Sequence, residues 1–138
     1  MESWTVRKLE PGDHIRVNRG PYYHHGIYVG SGEVVHYCAE DSDGVSEPDS
    51  VEVRLTPMSR FTRDGFCEVC EYRDKRRRRT PKEIAEYAKS RIGAKGYDVL
   101  NNNCEHFANE CVYGEAFSPY VDGIRARMRE LLKKADKG

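Results

Sequence analysis

Cys104, His24 and His36 are the side chains of this sequence whose types and spacing could do nucleophilic chemistry. In NNNCEHFANEC, Asn101 to Cys111, a polar run gives way to an apolar stripe: Cys104, Phe107, Ala108, Cys111 and Val112 follow i, i+3, i+4, i+7, i+8. Asn103 suits the N-cap, which puts Cys104 in the first helical turn. There the unpaired N–H groups and the positive end of the helix dipole favour a thiolate, and the same groups can hold an oxyanion. A base is still required. The segment PYYHHGIYVGSGEVVHYC offers His24 to take the thiol proton and His36 to orient His24 by a hydrogen bond. A blander reading stands beside this one, because a cysteine on an apolar stripe is at home in a core and a strand histidine often serves structure alone.

The histidines depend on a hairpin. Two β-rich runs flank Gly30-Ser31-Gly32. If all three residues form the loop, with Gly32 in the left-handed position, Val29 pairs with Glu33 and Gly26 lies opposite His36. His24 is then diagonal to His36 on the same face, and Gly26 leaves room for a substrate carbonyl. A two-residue loop would send the two histidines to opposite faces.

The remaining elements read as a mixed α+β chain. Pro11-Gly12-Asp13 is a turn before a short strand at His14 to Val17, and Ser50 to Leu55 and Phe66 to Tyr72 are two more strands. Thr80-Pro81 reads as N-cap and first helical position, with Ile84, Ala85, Ala88 and Ile92 on one stripe and Gly93 as the stop. Val121, Ile124, Met128, Leu131 and Leu132 mark a last helix, surrounded by arginines and lysines and expected to pack on the domain. Ala39 to Ser50 reads as a solvated acidic loop, and Arg73 to Pro81 as a charged connection.

With 138 residues the chain fits one domain, expected over 1–118, with 119–138 as a basic amphipathic helix that is part of it or appended to it. Net charge is zero, so composition gives no reason to expect nucleic acid as a partner. The signs are uneven: residues 1–60 carry 6 Lys and Arg against 10 Asp and Glu, the remainder 17 against 13, so any basic surface lies C-terminal. No apolar run is long enough to span a bilayer and MESWTVRKLEPGD is no secretory signal, which points to a cytoplasmic protein. Five cysteines is an odd number, suggesting thiols rather than a disulfide framework.

HHGIYVGSGEVVHY together with NCEHFANE resembles the lecithin:retinol acyltransferase-like (LRAT domain) family, in its HRAS-like suppressor phospholipase/acyltransferase branch. The likeness runs from about Pro11 to Gly114. It implies a single-domain, circularly permuted papain-like α+β fold, with an antiparallel sheet carrying the histidines and a catalytic helix packed on it. It also implies a Cys-His-His triad of Cys104 as nucleophile, His24 as base and His36 as third member. Tyr22 matches a position often occupied by Tyr in that branch and is an oxyanion candidate. The implied activity is a thiol-dependent phospholipase A/acyltransferase, in which a glycerophospholipid ester acylates Cys104 and the thioester passes to water or to an amine or hydroxyl acceptor. No cofactor or metal is implied. Relatives often end in a hydrophobic anchor where this sequence has its basic helix; peripheral membrane contact is open to that helix and to headgroup attraction at Arg76 to Arg79.

Two other functions fit the same pattern. Permuted papain-like peptidases and isopeptidases also combine an early histidine with a helix opening on Asn-Cys, although the second histidine, His36, favours acyl transfer. A non-catalytic interaction domain of the H-box/NC kind is the other. Cys67 and Cys70 have CxxC spacing, but on a strand they point to opposite faces and no second pair accompanies them. His24, His36 and Cys104 could also hold a metal. His106 should point off the apolar stripe as a local hydrogen-bonding residue, and His25 should face away from His24.

Overall fold

The computed structural model describes residues 2–44, 46–72, 76–98 and 102–137. Arg73 to Lys75 of the charged connection and Asn101 of the asparagine run lie outside them. Six strands, β1 (Glu2–Thr5), β2 (His14–Asn18), β3 (Tyr23–Gly30), β4 (Glu33–Cys38), β5 (Glu52–Pro57) and β6 (Cys67–Tyr72), form one sheet in the order β1-β6-β2-β3-β4-β5. Every pairing is antiparallel. Among the described residues four α-helices accompany it: α1 (Met58–Thr62), α2 (Pro81–Ser90), α3 (Cys104–Tyr113) and α4 (Pro119–Lys137). The chain is therefore α+β.

Local chemistry explains the helix starts. Thr80 accepts the Glu83 N–H while Glu83 reaches back to the Thr80 N–H, a capping box, with Pro81 at the first helical position. Asn103 accepts the N–H groups of Glu105 and His106, and the His106 ring accepts the Asn103 N–H. His106 is thus a local hydrogen-bonding residue. The C-terminus of α3 closes on Gly114 at φ 83°, a left-handed cap.

Strand alternation divides the core in two. Ile27, Val35, Tyr37 and Val53 face α2 and α3, joining Ile84, Phe107 and Cys111. Ile15, Val17, Val34 and Val69 point the other way and pack on Phe61 of α1. Arginines of the charged connection tie α2, α3 and the segment after α3 together. Arg79 donates to the carbonyls of Glu110 and Cys111 and lies over the Tyr87 ring, while Arg76 pairs with Glu115 and stacks on Phe117.

The hairpin corrects the expected register. Gly30 pairs with Glu33, leaving a two-residue loop of Ser31 and Gly32, both at positive φ (54° and 71°) as a type I′ turn requires. The register shifts between Tyr28 and Gly30, after which Tyr28 pairs with Val34 and Ile27 with Val35. The shift is a bulge that absorbs one residue. It cancels the face inversion a two-residue loop would otherwise cause, so His24 and His36 still share a face.

Candidate active site

His24 and His36 meet on the α1 side of the sheet. His24 Nε2 lies 2.8 Å from His36 Nδ1, and His36 Nε2 lies 2.7 Å from Thr56 Oγ1. Both rings lean on Phe61, with centroids 5.4 and 5.1 Å away. Phe61 also decides the fate of Gly26. A Cβ there would come within 2.8 Å of Phe61 Cε1 and of Val34 Cγ1, so the missing side chain makes room for the ring that braces the histidines, not for a substrate carbonyl.

Burial and hydrogen bonding together fix the tautomers. Burial pushes His24 down to about 4 and His36 well below the ordinary histidine range, so both rings are neutral and each carries one N–H. Thr56 Oγ1 donates to the Pro57 carbonyl at 3.4 Å, leaving it to accept from His36 Nε2. His36 Nδ1 then accepts from His24 Nε2. Asp43 enforces the same choice, because its Oδ1 lies 3.6 Å from His24 Nε2 and a carboxylate favours a donor there. What remains on His24 is Nδ1 with its lone pair free.

Asp43 is the site residue that sequence reasoning missed. It falls in the acidic stretch expected to be a solvated loop, yet it is only 7% exposed. Burial alone would raise its pKa, but hydrogen bonds from Arg19 Nε at 2.7 Å and the Tyr22 hydroxyl at 2.6 Å, with the neighbouring positive charge, hold it well below the usual carboxylate range. Arg63 approaches at 3.3 Å. The only hint in the sequence is Gly44 beside it, whose φ of 81° and closeness to Val51 mark a bend folded tightly inward. Tyr22, the oxyanion candidate, therefore spends its hydroxyl proton on Asp43, and burial followed by that bond raises its pKa.

Cys104 approaches from the opposite side of the sheet, since α3 packs with Ile27 and Val35. It reaches β3 where the pairing of β3 with β4 has ended, the last paired residues being Ile27 and Val35. At that open edge its Sγ lies 3.9 Å from the Tyr23 carbonyl oxygen and receives the His25 N–H, so it meets the backbone on either side of His24. Cys104, His24, Tyr22 and Asp43 all border one cavity of about 620 Å³, which Tyr97, Tyr120 and Ile124 also line.

The thiol does not have the low pKa its helix position suggested. Burial drives it up to about 12, and the N–H groups of His25 and Glu105 offset this only in part. Desolvation outweighs the helix terminus, and the resting site holds a neutral thiol with neutral imidazoles.

His25 lies on the α3 face with His14, away from His24. His14 Nε2 and His25 Nδ1 are 2.8 Å apart, and Trp4 packs edge-on against both rings. All five cysteines are free thiols, with Cys67 and Cys70 pointing to opposite faces of β6. No helix among the described residues is long and apolar enough to cross a membrane.

The lecithin retinol acyltransferase family model matches residues 7–117. The chain is 31% identical to human phospholipase A and acyltransferase 3, over 86% of this chain and 80% of that protein. It is 32% identical to human phospholipase A and acyltransferase 2, over 81% and 75%. It is 24% identical to lecithin retinol acyltransferase of Rattus norvegicus, over 94% of this chain but 65% of that protein, so it spans slightly less than two thirds of the latter's length. On the extent of the family match and the identity to the human relatives, the chain belongs to the lecithin retinol acyltransferase family.

Proposed function

We propose that this chain is a thiol-dependent phospholipase A/acyltransferase that works through an acyl-thioester on Cys104. The observation that carries the proposal is the chain of contacts His24–His36–Thr56 with Asp43 against His24 Nε2, from which we infer a free lone pair on His24 Nδ1, together with the approach of the Cys104 sulfur to the Tyr23 carbonyl next to His24 in the chain. The names of the relatives support an ester-bearing lipid as substrate. We take 1–118 as the catalytic domain and 119–138 as an appended helix. Histidine strands preceding a cysteine helix support a circularly permuted papain-like arrangement.

The thiol and imidazole are too far apart in acidity to rest as an ion pair, so the proton moves as the bond forms. Cys104 Sγ attacks the ester carbonyl of a glycerophospholipid and its proton passes to His24 Nδ1. His36, held by Thr56, stabilises the resulting imidazolium through the Nε2 bond, and Asp43 contributes the nearest negative charge. The tetrahedral oxyanion collapses, the C–O bond breaks, and the lyso-lipid oxygen leaves with the proton from His24. Water, an amine or a hydroxyl then attacks the thioester with the same base, releasing a fatty acid or an acylated acceptor and restoring the thiol. Tyr22 serves the oxyanion by exchanging Asp43 for the developing negative oxygen as its acceptor.

Intact-mass measurement after exposure to mixed phospholipids tests this. The expected result is one acyl adduct, mapped to Cys104 and lost in Cys104→Ala. An adduct that persists in that variant, or none with any phospholipid, overturns the assignment.

A further inference from the structure

The last helix does not pack on the domain as its sequence suggested. From Asp122 to Ala135 every residue of α4 is exposed, including Met128 (58%), Leu131 (59%) and Leu132 (65%). Its root, in contrast, is fixed. Glu105, the neighbour of Cys104, accepts from the Ser118 hydroxyl and from the Tyr120 N–H, and Asn109 of α3 donates to the Phe117 carbonyl. Val121 is buried at that root, and Val121 and Ile124 border the Cys104 cavity.

At about 100° per residue, Val121, Ile124, Met128, Leu131 and Leu132 occupy one sector roughly 100° wide. Arg125 and Arg129 stand along one margin of that sector, Arg127 and Lys134 along the other, and Glu130 and Lys133 lie opposite it. The helix carries six Lys and Arg against three Asp and Glu. An apolar stripe edged on both sides by cations, on a helix with a net excess of Lys and Arg, suits the plane of an anionic bilayer: acyl chains cover the stripe and headgroup phosphates meet the margins. A second copy laid on the stripe would set cationic margins against cationic margins.

We propose that α4 is an interfacial helix that docks the protein on anionic phospholipid membranes, with its apolar stripe continuing the wall of the Cys104 cavity out into the lipid. The docking surface stands on the helix alone; its use as a route for acyl chains rests on the acyl-transfer reading of Cys104.

The test is flotation of the full chain with vesicles of phosphatidylcholine mixed with phosphatidylserine, and with vesicles of pure phosphatidylcholine. Binding to the mixed vesicles is expected, about fivefold weaker for each margin cation removed, as in Arg127→Gln, and at least about tenfold weaker in Met128→Gln with Leu131→Gln. A tryptophan at Leu131→Trp should shift its emission to the blue on binding and be quenched by brominated lipid. Equal binding to both vesicle types, no binding to either, or self-association abolished by the Met128 and Leu131 changes without vesicle binding would each overturn the proposal. Hydrolysis of a monomeric short-chain phospholipid separates it from the site reading. That activity should survive the Met128 and Leu131 changes, so an active enzyme that fails to bind vesicles sinks the helix alone, and a binding protein inactive on every ester sinks the site alone.

Discussion

Asp43 Oδ1 stands 3.6 Å from His24 Nε2, the nitrogen that also meets His36 Nδ1 at 2.8 Å. The carboxylate thus acts on the base at Nε2 and opposes the fall in its pKa caused by burial. Asp43→Asn is expected to lower kcat/KM about 10- to 100-fold and to move the acid limb of its pH profile to lower pH. Profiles on a water-soluble thioester check this, and a limb that moves upward would remove Asp43 from the site.

With the Cys104 thiol pushed up to about 12, its alkylation should follow the rare thiolate. The rate of carbamidomethylation at Cys104, read by peptide mass spectrometry, is expected to climb with pH throughout the range over which the protein stays folded. A plateau at neutral pH would mean a preformed ion pair.

Gly26 and Phe61 share one space. Gly26→Ala should destabilise the fold by about 1–3 kcal/mol through overpacking, seen as a lower urea midpoint with unchanged slope. Shrinking the ring with Phe61→Leu should make the double variant less unstable than the sum of the singles, as residues in direct contact do.

His14, buried and pushed down to about 3, couples stability to acid. Its folded pKa is below the ordinary 6.5, so the unfolded chain binds the extra proton. Stability is full above pH 6.5 and falls as the pH drops toward 3, by about 1.4 kcal/mol per pH unit for one such group. His24, His25 and His36 are lowered in the same direction and steepen the slope. Urea melts between pH 4 and 7 should show this, with a shallower dependence in His14→Gln.

What the sequence made legible was whatever local chemistry dictates. Asn103 and Thr80 announce their helices because a cap is decided within four residues, and the β3–β4 hairpin announces itself through Ser31-Gly32. β1 was invisible, since Glu2–Thr5 is a strand only because β6 pairs with it some 66 residues away, Trp4 opposite Cys70. Asp43 looked solvated because its partners, Arg19, Tyr22 and Arg63, are all about 20 residues distant in the chain. The acidity of Cys104 was misjudged for the same reason, because a helix terminus can be read locally but burial cannot. The packing expected of α4 failed because a periodic stripe says which side is apolar and not what covers it.

The bulge between Tyr28 and Gly30 has a consequence for how this chain can vary. A turn and a bulge of opposite effect act as a matched pair of phase shifts, so losing one residue from either inverts every position of β3 relative to β4. His36 would then trade faces with Val35 or Tyr37, and a polar ring would enter the apolar layer under α3. Length changes in this hairpin are tolerable only in twos, which makes its residue count, more than the identity of its loop, the quantity that keeps two imidazoles in contact.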